Sequence, residues 1–202
     1  YGIISIGVAF VIISGGIDLS IGSVVGLTGS LLAWMLTVKG WSVPVALLMC
    51  LALGLVIGLA HGLLITKLKL QPFVVTLCGL LIYRGLARVV TDDQSLGFGS
   101  KFEGLRSLAT GSIPITSTFS IPYPLILMTL IAIIAAVLLR LTVFGRYLLA
   151  LGNNEEAARY SGVNTARIVI ASYVFCSVLA ALGGVLFALD VNSIQPSGLG
   201  EF

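Results

Sequence analysis

Two stretches of this sequence have residue types and spacings that bear on chemistry. The first is Ser14-Gly15-Gly16-Ile17-Asp18-Leu19-Ser20-Ile21-Gly22. Adjacent glycines weaken a helix by roughly 1 kcal/mol each relative to alanine. Asp18 then stands where an N-cap belongs, with its carboxylate in reach of the N–H groups of Ser20 and Ile21. A carboxylate flanked by hydrocarbon is costly unless it is paired or capped. The segment is therefore either a turn at a membrane edge or a discontinuous helix inside the membrane. Asp18 is a structural cap, a substrate contact or a proton relay. Discontinuous helices expose N–H and C=O groups beside a polar route, which makes Gly16, Asp18, Ser20 and Gly22 candidates for a substrate path.

Arg84 and Arg88 lie four apart, on one helical face. That face looks into a bundle or an outer interface, so Arg84 either snorkels to the surface or lines the path. His61, between Gly58 and Gly62, has no second ligand nearby and reads as a helix–helix hydrogen-bonding residue. No metal site is expected.

The second stretch, Phe144 to Arg167, reads FGRYLLALGNNEEAARYSGVNTAR. Asn153 or Asn154 is a good N-cap, and Glu155 and Glu156 fall in the first turn, where the helix dipole favours them. Arg159 follows Glu155 by four, the spacing of a supporting ion pair. Gly162 is a natural stop. The predicted helix has about eight residues, ~12 Å, with small Ala157 and Ala158 at its centre. Such a helix fits a groove on another protein, or lies flat on its own subunit.

The elements that must carry these residues are membrane helices. The 202 residues are 58% hydrophobic and only 9% charged, against roughly 25% in soluble domains. This excludes an ordinary cytoplasmic enzyme, a disordered chain and, with scattered basic residues and a net charge of only +3, a nucleic-acid binder. Six uncharged or nearly uncharged stretches approach the length that crosses ~30 Å of hydrocarbon. They run over Tyr1–Ile17, Ile21–Val38, Val43–Ile65, Pro72–Val90, Tyr123–Leu139 and Ile168–Leu189. None alternates with period two, so the expected fold is all-α, a polytopic transmembrane helix bundle. Lys67, Lys69, Arg140, Arg146, Arg159 and Arg167 fall in two links on the same side, which is therefore expected to be cytoplasmic. The 91–122 link then faces outward, and the 191–202 tail lies outside or in the outer interface. Cys50, Cys78 and Cys176 each sit in an apolar run and read as small buried hydrophobes. Gly22 and Gly26, Gly54, Gly58 and Gly62, and the Gly183-Gly184 pair read as helix-packing faces, within one subunit or between two. No phosphate-binding loop, nucleophile elbow or zinc motif is present, so no enzyme activity is expected.

The motifs resemble those of permease subunits of ABC importers, in the ribose-type monosaccharide group. Gly15-Gly16-Ile17-Asp18-Leu19-Ser20-Ile21-Gly22-Ser23 resembles that group's GIDLSVGS signature, with Ile21 for valine. Gly152-Asn153-Asn154-Glu155-Glu156-Ala157-Ala158-Arg159-Tyr160-Ser161-Gly162 resembles its coupling loop, with Tyr160 for leucine. Ser193-Ile194-Gln195-Pro196 resembles its SAQP segment. The resemblance covers the whole chain. It implies a bacterial inner-membrane permease of roughly ten spans, of which residues 1–202 form an internal piece of one transmembrane domain. It further implies a second permease subunit, an extracytoplasmic sugar-binding protein, and a cytoplasmic ATPase that holds ATP and magnesium. The ATPase would receive residues 152–159 and Gly162 of a 141–167 coupling loop. Competing expectations are an ion-coupled secondary transporter with Asp18 as its ion site, a branched-chain amino acid permease, and a membrane scaffold without transport.

Overall fold

Proline sets where three of the long helices begin. A ring that fixes φ and lacks an N–H belongs in a helix's first turn. Pro44 opens α3 (Val43–Thr66), Pro72 opens α4 (Pro72–Thr91), and Pro124 sits in the first turn of α6 (Tyr123–Leu141). The computed structural model describes residues 1–115 and 120–194. Among these, the remaining helices are α1 (Gly2–Ile13), α2 (Ile21–Thr37), α5 (Glu103–Thr110), α7 (Val143–Asn153), α8 (Glu155–Tyr160) and α9 (Thr165–Val191). Helices α3, α4, α6 and α9 are long and apolar enough to cross a membrane. Helices α1 and α2 are apolar but shorter, with 12 and 17 residues. The result is an all-α bundle, as the composition requires.

The first span departs from expectation. Its helix ends at Ile13 rather than Ile17, because Gly15 takes φ +79° and the chain then stays non-helical to Ser20.

Helix α2 lies in the middle and buries 12 of its 17 residues. Helix α9 runs beside it and also packs on α1 and α3. The α3–α9 pair is antiparallel and close, since a Cβ at Gly54, Gly58 or Gly62 would stand 2.8 Å from the Ser177 carbonyl oxygen, 2.7 Å from that of Tyr173 and 2.7 Å from Ile170 Cα respectively. This glycine stripe is spent on packing within one chain. Helix α6 buries only Ile131 and Ala135 and leaves an apolar outer face. Cys50 and Cys176 are buried, but Cys78 is exposed, because it lies on α4 opposite the face formed by Val75, Thr76, Gly79 and Ala87.

The link at 91–122 is not a plain loop. It carries α5, which lays Leu105 and Ala109 on a core shared with Leu32, Leu36 and Leu189. Arg106 Nε donates to the Leu189 carbonyl over 3.2 Å. Two short antiparallel ladders complete this end: β1 (Leu96–Gly97) with β4 (Ser193–Ile194), and β2 (Ser112–Pro114) with β3 (Ser120–Pro122). Of the Ser193–Pro196 motif, Gln195 and Pro196 lie outside the described residues. At the opposite end, Gly62 near the close of α3 packs on Ile170 near the start of α9, which puts Lys67 and Lys69 on the same side as α7 and α8.

Candidate substrate path and coupling helix

The seven residues between α1 and α2 form the centre of the site. Asp18 Oδ1 accepts from the backbone N–H of Ser20 at 2.9 Å and from its hydroxyl at 2.7 Å. Ser20 is fully buried and is itself the N-cap residue of α2. Asp18 therefore stabilises the turn into α2 through Ser20. A bond to the Ile21 N–H, expected from an ordinary cap, is not among its contacts.

The break is tied to two other helices, although Gly15, Ile17 and Leu19 within it are exposed. The Tyr173 hydroxyl donates to the Ile17 carbonyl over 3.1 Å, and Thr76 Oγ1 lies 3.5 Å from the same oxygen. Tyr173 is eight residues into α9 and Thr76 four into α4, ~12 and ~6 Å along their helices. Gly16 rests on Tyr173, where a Cβ would come within 2.6 Å of the hydroxyl. The Ile17 carbonyl has no helical partner, and buried Tyr173 supplies a donor for it. Nearby, the Tyr83 hydroxyl and His61 Nε2 are 2.9 Å apart, joining α4 to α3 as the lone histidine predicted. Gly79 gives the imidazole its space, since a Cβ there would stand 2.7 Å from Nε2.

Beside the break is a cavity of about 890 Å³, within the size range of small-molecule sites. Its walls come from α1, the start of α2, α5, α6 and α9, and two carboxylates, Asp18 and Asp190, line it. Of the predicted path residues, Asp18 and Gly22 line it; Gly16, Ser20 and Arg84 do not. Gly16 faces Tyr173, and Ser20 is covered by its own turn. Arg84 is half-buried on α4, which supplies no wall of the cavity, and its Nε has no partner among the described residues. Arg88 is exposed and stands 3.8 Å from Asp93.

Asp190, near the end of α9, is the second carboxylate of the cavity. Its signal was present: Gly183, Phe187 and Asp190 repeat at three to four residues on one face of α9, and all three line the cavity. Tyr173 was missed altogether, because a tyrosine inside an apolar run gives no hint of a carbonyl 156 residues away.

The Phe144–Arg167 stretch folds as two helices. Thr142 caps α7 by accepting from the Gly145 N–H over 3.2 Å. Asn153 ends α7, and Asn154 is the cap of α8, accepting from the Ala157 N–H at 2.9 Å. Helix α8 is six residues rather than eight. It stops at Gly162, φ +84°, where the Gly162 and Val163 N–H groups return to the Arg159 and Ala158 carbonyls at 3.0 and 3.1 Å. These paired bonds form a Schellman stop. Arg159 and Glu155 pair at 3.0 Å. Glu155, Glu156, Ala157, Arg159 and Tyr160 are exposed. Ala158, expected at a partner's groove, is instead buried against its own chain, 5% exposed. Gly152 is exposed, but the place a Cβ would take is occupied by the Ile13 carbonyl oxygen.

Apolar helices around a broken segment, with a carboxylate-lined cavity and a capped, mostly exposed short helix at one end, define a polytopic membrane bundle. The chain belongs to the family described as branched-chain amino acid transport system / permease component, whose model matches residues 1–201. It is 37% identical over 198 residues to the galactofuranose transporter permease protein of Escherichia coli K12, covering 98% of this chain and 56% of that one. It is 38% identical over 197 residues to the ribose import permease protein of Bacillus subtilis 168 (97% and 59%), and 34% over 205 to the fructose import permease protein of Bifidobacterium longum NCC 2705 (100% and 55%). The chain thus spans little more than half the length of these relatives. No solved structure matches it.

Proposed function

We propose that this chain is part of the membrane permease of a bacterial ABC importer that moves a monosaccharide delivered by an extracytoplasmic binding protein. The observation that carries this reading is the near-full coverage of the chain by permeases named for ribose, galactofuranose and fructose. Asp18 and Asp190 lining one cavity suit a polyhydroxylated substrate, because a carboxylate accepts from two hydroxyls at once. The chain supplies the path and no ATPase site. The energy comes from a partner ATPase that holds ATP and magnesium and grips α8 and its flanks through Asn153, Glu155, Glu156, Ala157, Arg159 and Gly162, with Asn154 holding the helix in shape. Two permease subunits enclose the path in the inner membrane. The end bearing Lys67, Lys69, α7 and α8 is cytoplasmic, and the 91–122 link is outside.

The test is uptake of labelled ribose, galactofuranose and fructose into vesicles holding the full transporter. Uptake of one of them should require ATP and survive collapse of the ion gradient. Uptake that stops with the gradient and ignores ATP would establish the ion-coupled alternative, with Asp18 as its site. ATP-driven uptake of leucine and of none of the sugars would assign the amino acid branch.

A further inference from the structure

Helix α8 is flanked by the two elements that hold the broken segment. On its C-terminal side the link to α9 has little slack. Gly162 and Val163 return to α8 carbonyls, the Thr165 N–H donates to Val163 at 2.9 Å, and Asn164 Oδ1 caps α9 by accepting from the Arg167 N–H at 3.2 Å. Helix α9 then carries Tyr173, fully buried, whose hydroxyl reaches the Ile17 carbonyl. On the N-terminal side α7 joins α8 at Asn154 alone. Gly152 of α7 meets the Ile13 carbonyl so closely that no side chain fits between them. Ile13 is the last residue of α1, and Ile17 precedes Asp18. The break is thus gripped at its start by α7 and at its middle by α9.

We infer that Tyr173 and Gly152 are positioning residues that convert displacement of α8 into movement of the Asp18 turn. The inference rests on the coupling role of α8 under Proposed function. A pull on α8 is delivered through two contacts of different kinds. Gly152 is a steric stop against Ile13. Tyr173 is a hydrogen-bonded tether to Ile17, and Ile17 is covalently next to the carboxylate at the cavity. The bonded 161–164 link and the packed α7 core, with Leu148 and Leu151 buried against Phe10, let both act as stiff levers.

The test uses the complete transporter, full-length permease with its ATPase and binding protein, in proteoliposomes. ATP hydrolysis is measured together with uptake of labelled ribose, galactofuranose or fructose, whichever the unsubstituted complex takes up. Tyr173→Phe removes the hydroxyl and keeps the ring. It should retain the co-purified ATPase and binding-protein-stimulated hydrolysis, keep the half-saturating concentration of loaded binding protein, and lower sugar moved per ATP at least fivefold. Gly152→Ala should lower the same ratio by prising α7 from Ile13. An unchanged ratio in Tyr173→Phe overturns the inference. So does loss of the ATPase, or a parallel fall in hydrolysis and uptake, since either makes Tyr173 a packing residue only. Should Tyr173→Phe fail to assemble and Gly152→Ala retain the normal ratio, the inference is likewise lost. Absence of ATP-driven uptake in the unsubstituted complex overturns the reading under Proposed function and is seen before any variant is made.

Discussion

The hydroxyl of Tyr83 and Nε2 of His61 stand 2.9 Å apart and join α4 to α3. His61 is 2% exposed, and its other ring nitrogen has no partner among the described residues, so this one contact satisfies its only bonded polar atom. Tyr83→Phe leaves the imidazole without it. Side-chain hydrogen bonds between membrane helices are worth roughly 0.6–2 kcal/mol. The variant should therefore melt a few degrees lower in detergent while keeping its helix content. A melting temperature equal to that of the parent would show that the contact carries no stability.

Glycines in this bundle divide by what surrounds them. Gly58 is pressed against the Tyr173–Val174 backbone, whereas Gly85, within α4, has nothing within 4 Å of the place a Cβ would occupy. Gly58→Ala forces α3 and α9 apart and should cost about 1–3 kcal/mol, the usual range for overpacking. Gly85→Ala adds a helix former in open space and should be neutral or stabilising by up to ~1 kcal/mol. Thermal denaturation of both variants decides this, and equal melting temperatures would contradict the packing described.

Asp18 has a structural and a proposed transport role, and two substitutions separate them. Asp18→Asn keeps an oxygen to accept from the Ser20 N–H and hydroxyl, so the turn into α2 should hold and expression should stay normal. Asp18→Ala leaves both donors unserved and should also reduce stability by about 1–3 kcal/mol. If the carboxylate meets the sugar, Asp18→Asn lowers uptake about tenfold, equivalent to ~1.4 kcal/mol. Full uptake in a folded Asp18→Asn protein would leave the residue with its capping role alone.

The ends of α8 should matter more than its ion pair. Gly162 sits at φ +84° with open space around it, so Gly162→Val is strained by its backbone and not by crowding. Together with Asn154→Ala, which removes a cap worth ~1 kcal/mol, it should unwind the exposed helix and leave the spans intact. ATPase co-purification should fall while the melting temperature of the bundle changes little. Arg159→Gln breaks a pair exposed at both ends and should shift stability by under ~1 kcal/mol. Undiminished ATPase capture by the Gly162→Val, Asn154→Ala double variant would remove α8 from the docking surface.

The six apolar stretches, the break at Gly15–Gly16 and the stop at Gly162 were legible because each rests on local physics: hydrocarbon length, glycine's backbone freedom, and helix capping. Asn154, and not Asn153, became the cap because α7 continues through Asn153, and nothing in the paired asparagines says which one turns. Ala158 illustrates the opposite limit. Two alanines look alike in sequence, yet at successive positions of a helix one faces solvent and the other its own chain.

What the amino-acid order determined by itself was which segments must be helical and apolar, and that the chain must break before Asp18. Where that break sits was decided only by tertiary packing. The Ile17 carbonyl lies outside any helix ladder, and the fold brought it a donor, Tyr173, from 156 residues further along the chain. The same assembly brought Asp190 to the cavity that Asp18 lines and left Arg84 away from it, because a helix's inward face is chosen by its neighbours as well as by its own residues.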